Sequence, residues 1–205
     1  MLYQLLKPVA VALMRLYFRV ERRGREHVPR TGPVLIASNH VSVLDPPLVG
    51  GMAPRPVYFL AKEELFRIPL LGELIRRLNA RPVRRDGTDT RALRTALGLL
   101  EAGRAVLIFP EGTRSRDGRL GPGKPGAGML AVVSGAPVVP VFISGTERAL
   151  PPGGGVPRPK KVRVTFGPPL TFKSGKDDGR KERYREAANE MMRAIAQLGE
   201  QHALN

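Results

Sequence analysis

The sequence predicts an α/β fold, a mixed sheet flanked by helices, with an N-terminal amphipathic helical segment that binds membrane. Three observations carry this. Apolar, β-leaning runs recur at 33–37, 57–61, 105–109, 138–143 and 162–166. Between them lie segments whose apolar residues return with helical spacing, and glycine or proline punctuates the joins. At the front, Leu2, Leu5, Leu6, Val9, Leu13, Leu16, Tyr17 and Val20 also follow a helical period, interrupted by Lys7, Arg15 and Arg19.

Taken in order, the first helix is kinked or divided at Pro8. A spanning helix needs about 20 mostly apolar residues, so the interior cations favour lying in the interface over crossing. A helix packed on the domain or on a partner has the same pattern. The segment lacks the basic start and small-residue cleavage site of a signal peptide. Strands follow at 33–37 and 57–61, then a helix over 65–78 and a short strand over 81–84. A helix over 88–100 stops at Gly103. The strand at 105–109 leads into a Gly/Pro-rich loop, a helix over 127–134, strands at 138–143 and 162–166, and a final helix over 179–198. The 205 residues suit one domain with a sizeable core, and the loop at 151–159 is too short to separate two. The division is therefore an interfacial segment, 1–22, and one globular domain, 23–205.

Two motifs stand at the ends of apolar strands, where α/β sheets usually hold their chemistry. After 33–37 come Asn39, His40 and, five residues past the histidine, Asp45-Pro46. On one helix that spacing would turn the two side chains about 140° apart, so they can meet only across a turn. Asp45 as an N-cap and Pro46 as a first helical residue would supply it. A histidine held by a carboxylate at one nitrogen can take a hydroxyl proton at the other. A surface histidine beside an ordinary N-cap fits the same residues. After 105–109 come Pro110, Glu111, Gly112, Thr113, Arg114 and Ser115, a polar cluster unsuited to a core. Gly112 lets the backbone turn or approach a ligand, and Arg114 can grip a phosphate through two parallel hydrogen bonds. A capped turn in which Glu111 and Arg114 pair with each other is the alternative.

Together the motifs resemble the glycerolipid acyltransferase family, and within it the bacterial 1-acyl-sn-glycerol-3-phosphate acyltransferases. The resemblance runs from about residue 24 to 170. It implies that His40 is the base and Asp45 its orienter, and that Phe109 to Ser115 form part of the acceptor site. Phe59-Leu60-Ala61-Lys62, with Ile68-Pro69 and Gly72 beyond, resembles the family's segment whose lysine reaches the acceptor phosphate, which implies that role for Lys62. Pro82-Val83-Arg84-Arg85 resembles a block ending in Asp-Arg; Arg84 stands where an acid is common, and Arg85 is favoured as the inward arginine. Val138-Val139-Pro140-Val141 resembles a block that shapes the site. The implied reaction moves an acyl group from a thioester carrier to the sn-2 hydroxyl of a lysophosphatidic acid, making phosphatidic acid. Lys62, Arg85 and Arg114 would anchor the phosphate, while Glu111, Gly112 and Thr113 shape the pocket. No oxyanion donor is assigned by the sequence, and backbone amides near the start of the helix after Asp45 are candidates. No cofactor is expected, with acyl-CoA or acyl carrier protein as co-substrate.

Composition narrows the field. Without cysteine there is no disulfide, thiolate nucleophile or cysteine zinc site. The three histidines, His27, His40 and His202, lack the spacing of a helical metal site. Gly118 to Lys124 carries the glycines and lysine of a phosphate-cradling loop, but Pro125 replaces the magnesium-binding hydroxyl. Thirty-four Lys and Arg against 18 Asp and Glu leave +16, which favours anionic partners. With no tryptophan and 5% aromatic residues there is little to stack on bases, so an anionic membrane surface is expected and nucleic acid is not. The expected location is the cytoplasmic face of a membrane, held monotopically or peripherally. Two other readings remain: a transferase for another lysolipid or an amine-bearing lipid, and a non-catalytic basic protein binding nucleic acid or anionic membrane.

Overall fold

The computed structural model describes residues 2–83, 90–115, 117–151, 154–172 and 179–203. Among them the chain runs α1 Leu2–Tyr17, β1 Glu21–Arg23, β2 Val34–Ser38, α2 Asp45–Met52, β3 Val57–Lys62, α3 Leu71–Arg77 and β4 Ala80–Val83. It continues through α4 Thr90–Glu101, β5 Ala105–Ile108, α5 Pro125–Ser134, β6 Val138–Ser144, α6 Thr146–Ala149, β7 Arg163–Phe166 and α7 Arg180–Ala203. The strands form one mixed sheet in the order β1-β7-β6-β2-β5-β3-β4. Every pairing is parallel except β6 with β7.

The apolar runs are central strands because both faces are covered. Along β2, Val34 and Ile36 enter one core cluster and Leu35 and Ala37 the other, following the two-residue period of a strand. The first cluster lies under α2, with Leu48, Val49 and Met52, and also takes Val11 and Met14 of α1 and Ile75 of α3. The second lies under α4, α5 and α7, with Leu100, Leu130 and Ile195 among its members. There α5 and α7 approach so closely that a Cβ on Gly128 would sit 1.8 Å from the Tyr184 carbonyl oxygen. Only glycine fits there.

Two expectations are corrected and one strand is added. The helix expected over 65–78 is a 3₁₀ turn at Glu63–Arg67 followed by α3. Pro69 and Leu70, at φ 64°, lie between them, and a proline cannot continue a helix. Strand β1 was not expected. Its sequence, Glu-Arg-Arg, has no apolar signal, and it is an edge strand paired with β7 through Glu21 opposite Arg163. The Glu21 carboxyl is held below the usual carboxylate range by its hydrogen bond to Lys161, with Arg163 adding to the effect. Finally, Asp45 is not an N-cap. Leu44 holds that position and Asp45 is the first residue of α2.

Candidate active site

Parallel pairing brings the two motifs together. Strands β2 and β5 are neighbours in register, Ala37 opposite Ile108, so the loops after them leave the sheet side by side. Strand β3 flanks β5 on its other edge and ends at Lys62. Segments far apart in sequence thus share the carboxyl edge of the sheet, the usual place for a site in this class.

His40 donates Nδ1–H to Asp45 Oδ2 at 2.8 Å. Asp45 is completely buried, and a buried carboxylate must be compensated. Three further donors do so: the backbone N–H groups of Val41 and Ser42, each 2.7 Å from Oδ2, and Thr146 Oγ1, 2.6 Å from Oδ1. An ionised carboxylate only accepts, so Nδ1 is the nitrogen that carries the proton, and in the neutral ring Nε2 then has the lone pair. The ring is 15% exposed and stacks on Phe109, with centroids 3.8 Å apart and planes 18° apart. A ring fixed on one face and at one nitrogen presents the other nitrogen as a positioned base.

The second motif holds the histidine's backbone on both sides. Glu111 Oε2 accepts the His40 N–H at 3.2 Å, and the Ser115 N–H donates to the His40 carbonyl at 2.8 Å. The other Glu111 oxygen accepts from the Gly121 N–H at 2.7 Å. Glu111 is therefore a buried bridge between loops and does not pair with Arg114. Gly112 has φ 70°, and a Cβ there would come within 2.8 Å of the Lys124 side chain, which lies across it. Thr113 and Arg114 are exposed on the same loop, the Thr113 hydroxyl donating to the Arg114 carbonyl at 3.2 Å.

Beside Phe109 and Gly112 is a cavity of about 170 Å³ between β3, β5, α4 and α5. Leu60, Leu93, Ile108 and Leu130 make it apolar, and among the described residues its charged lining is Lys62 and Lys124. An apolar recess with two cations suits an amphiphile carrying negative charge. Among the described residues no group of three or more His, Cys, Asp or Glu is placed to hold a metal.

The structure thus gathers His40, Asp45, Glu111 and Gly112 tightly, sets Lys62 on the cavity wall, and leaves Thr113 and Arg114 on the exposed part of the loop. Arg85 lies outside the described residues. The candidate oxyanion amides at the start of the helix after Asp45 are absent: Pro46 and Pro47 have no N–H, and the Leu48 N–H bonds to the Leu44 carbonyl. Sequence reasoning missed Thr146, the Phe109 stack and the role of Asn39, whose side chain bonds both the N–H and the carbonyl of Ile143 and ties β2 to β6. A polar Asn next to the histidine was a local signal for the last, but nothing local marks Thr146.

A family profile described as Acyltransferase matches residues 19–144. The 1-acyl-sn-glycerol-3-phosphate acyltransferase of Bacillus subtilis is 30% identical over 72% of this chain and 71% of its own length. A chloroplastic enzyme of that name from Brassica napus is 34% identical over 75% of this chain and 46% of its own, so the chain spans about half the length of this relative. The crystal structure of the 1-acyl-sn-glycerophosphate (LPA) acyltransferase PlsC from Thermotoga maritima superposes with a TM-score of 0.73 at 31% identity, covering 94% of this chain and 81% of that one. With the histidine and carboxylate paired beside an apolar recess, and with a profile match over more than half its length, the chain belongs to the acyltransferase family.

Proposed function

We propose that the protein transfers a fatty acyl group from a thioester carrier to the sn-2 hydroxyl of 1-acyl-sn-glycerol-3-phosphate, giving phosphatidic acid. The observation that carries this is the His40–Asp45 pair, stacked on Phe109 at the side of an apolar cavity lined by Lys62 and Lys124. The names of the relatives support the same acceptor.

In this reading His40 Nε2 removes the hydroxyl proton as the oxygen attacks the thioester carbonyl. The carbon–sulfur bond of the tetrahedral intermediate then breaks, and the imidazolium returns the proton to the departing thiolate. Asp45 holds the ring and balances the charge it gains. The thioester is already activated, so the reaction needs no metal, prosthetic group or acyl-enzyme. Lys62 and Arg114, with Arg85, are the proposed phosphate anchors. Release of free thiol from acyl-CoA and from acyl carrier protein, measured across a panel of lysolipids, tests the reading. Turnover confined to acceptors lacking a phosphate monoester would sink it.

Arg114→Lys keeps the charge but loses the planar fork, and we expect it to lower catalytic efficiency with lysophosphatidic acid by roughly tenfold. Lys62→Ala should act in the same direction. Both should change turnover of a monoacylglycerol far less, and equal proportional losses on the two acceptors would remove the phosphate assignment.

We also propose that α1 rests in a membrane interface on the cytoplasmic side. Among the described residues no helix is long and apolar enough to cross a membrane. Val11 and Met14 pack over Gly51 of α2, while Val9, Leu13, Leu16 and Tyr17 are exposed. Phe18 and Val20 are core residues, so the test must spare them. Leu13→Asp with Leu16→Asp should weaken binding to vesicles without lowering the melting temperature. Unchanged flotation with vesicles would refute the anchor.

A further inference from the structure

A second apolar ledge follows Lys62 at the end of β3. Along the 3₁₀ turn Glu63–Arg67, the link after it and α3, the side chains of Leu65, Ile68, Leu70 and Leu74 are all exposed, Leu70 to 89%. This projection is built in. A Cβ on Gly72 would meet the Phe66 carbonyl oxygen at 2.3 Å, so the turn folds tightly, and Leu70 at its apex takes the left-handed φ of 64° that a leucine rarely adopts.

The same segment forms a basic cleft. Arg67, Arg76 and Arg91, with Glu63, Phe66 and Pro82, line a cavity of about 270 Å³. Glu63 pairs with Arg67 at 3.3 Å, so among the described lining residues cations outnumber the one carboxylate, and the Arg76 guanidinium sits 5.4 Å above the centre of the Phe66 ring. Phe66 and Ile75 enter the same core cluster as Val11 and Met14 of α1, so both exposed apolar elements cover one side of the sheet. The occupant must have apolar and anionic parts at adjacent positions. A bilayer containing anionic phospholipid offers both across one plane, and the +16 charge of the chain favours it further.

We propose that Glu63–Arg77, with Arg91, is a second lipid-contact site. Ile68, Leu70 and Leu74 enter the acyl boundary of a bilayer, and the arginine cleft holds the phosphate of one anionic phospholipid. This deepens the membrane part of the reading above and is independent of the chemistry at His40.

The sequence contains no tryptophan, which gives a direct test. In Leu70→Trp full-length protein, the single indole should shift its emission to the blue and be quenched by bromine-labelled lipid when vesicles of phosphatidylcholine and phosphatidylglycerol are added. Val133→Trp, at a half-exposed site on α5 across the sheet from both ledges, should not shift. Replacing Arg67, Arg76 and Arg91 by alanine should weaken binding to the anionic vesicles by roughly fivefold per arginine, and binding to pure phosphatidylcholine hardly at all. An unshifted Leu70→Trp spectrum on bound vesicles, or anionic binding unchanged by the three arginine substitutions, would overturn the proposal. So would a shift produced by inorganic phosphate or by an acidic carrier protein but not by vesicles. His40→Ala should bind vesicles like the parent protein, so failure of the transferase assay and failure of docking can be told apart.

Discussion

His40→Ala is expected to lower thiol release by about 10²–10⁴-fold, the usual contribution of a positioned general base. The fold should survive, because the ring is partly exposed and its loss leaves the loop's other bonds in place. Asp45→Asn should behave differently. Besides His40, the carboxylate receives two backbone N–H groups and the Thr146 hydroxyl. The amide nitrogen of an asparagine would oppose some of those donors. We expect a cost of about 3 kcal/mol from unsatisfied buried groups, which is on the order of 10 °C in melting temperature for a chain of this size, together with a loss of turnover. The double variant should lose much less activity than the two single losses combined, since the residues act as one unit. Thermal melts beside single-turnover assays separate the two effects. Near-normal release by folded His40→Ala protein would defeat the mechanism.

Glu111→Ala should be the next most damaging change, although the carboxylate need not touch substrate. Its two oxygens accept the His40 and Gly121 N–H groups, and removing them leaves both donors without that acceptor. At about 1–3 kcal/mol for each donor the melting temperature should fall by roughly 10 °C. Turnover should fall by about 10²-fold, because the backbone carrying the base moves. Glu111→Gln can still accept with one oxygen and should lie between the parent and the alanine variant. Full activity in Glu111→Ala would show that the base is positioned by its own loop alone.

The helix from 65 to 78 illustrates where sequence reasoning loses its grip. Helical spacing on both sides of Pro69 suggested one continuous element, but a proline interrupts the backbone ladder whatever the pattern around it. Strand β1 shows the complementary failure: an edge strand has little to bury, so it need not carry an apolar pattern. The start of α2 shows a third. Asp45 was correctly placed opposite His40, but its side chain faces back toward the preceding loop and accepts the N–H groups of Val41 and Ser42. The missing oxyanion amides were legible all along, in the two prolines after Asp45.

By itself the sequence determined the central strands, the helices around them and the motifs at the strand ends, because these depend on local properties. A strand buried on both faces must be apolar throughout, and a histidine and a carboxylate only five residues apart can meet across a single turn. The tertiary structure alone decided which distant groups complete the site. Parallel pairing of β2 with β5 sets Phe109 against His40 and carries Glu111 to the His40 amide across 71 residues, while Thr146 reaches Asp45 across 101. No local pattern encodes such contacts, because they arise from strand order and from the need of buried charge and buried amides for partners wherever the fold supplies them.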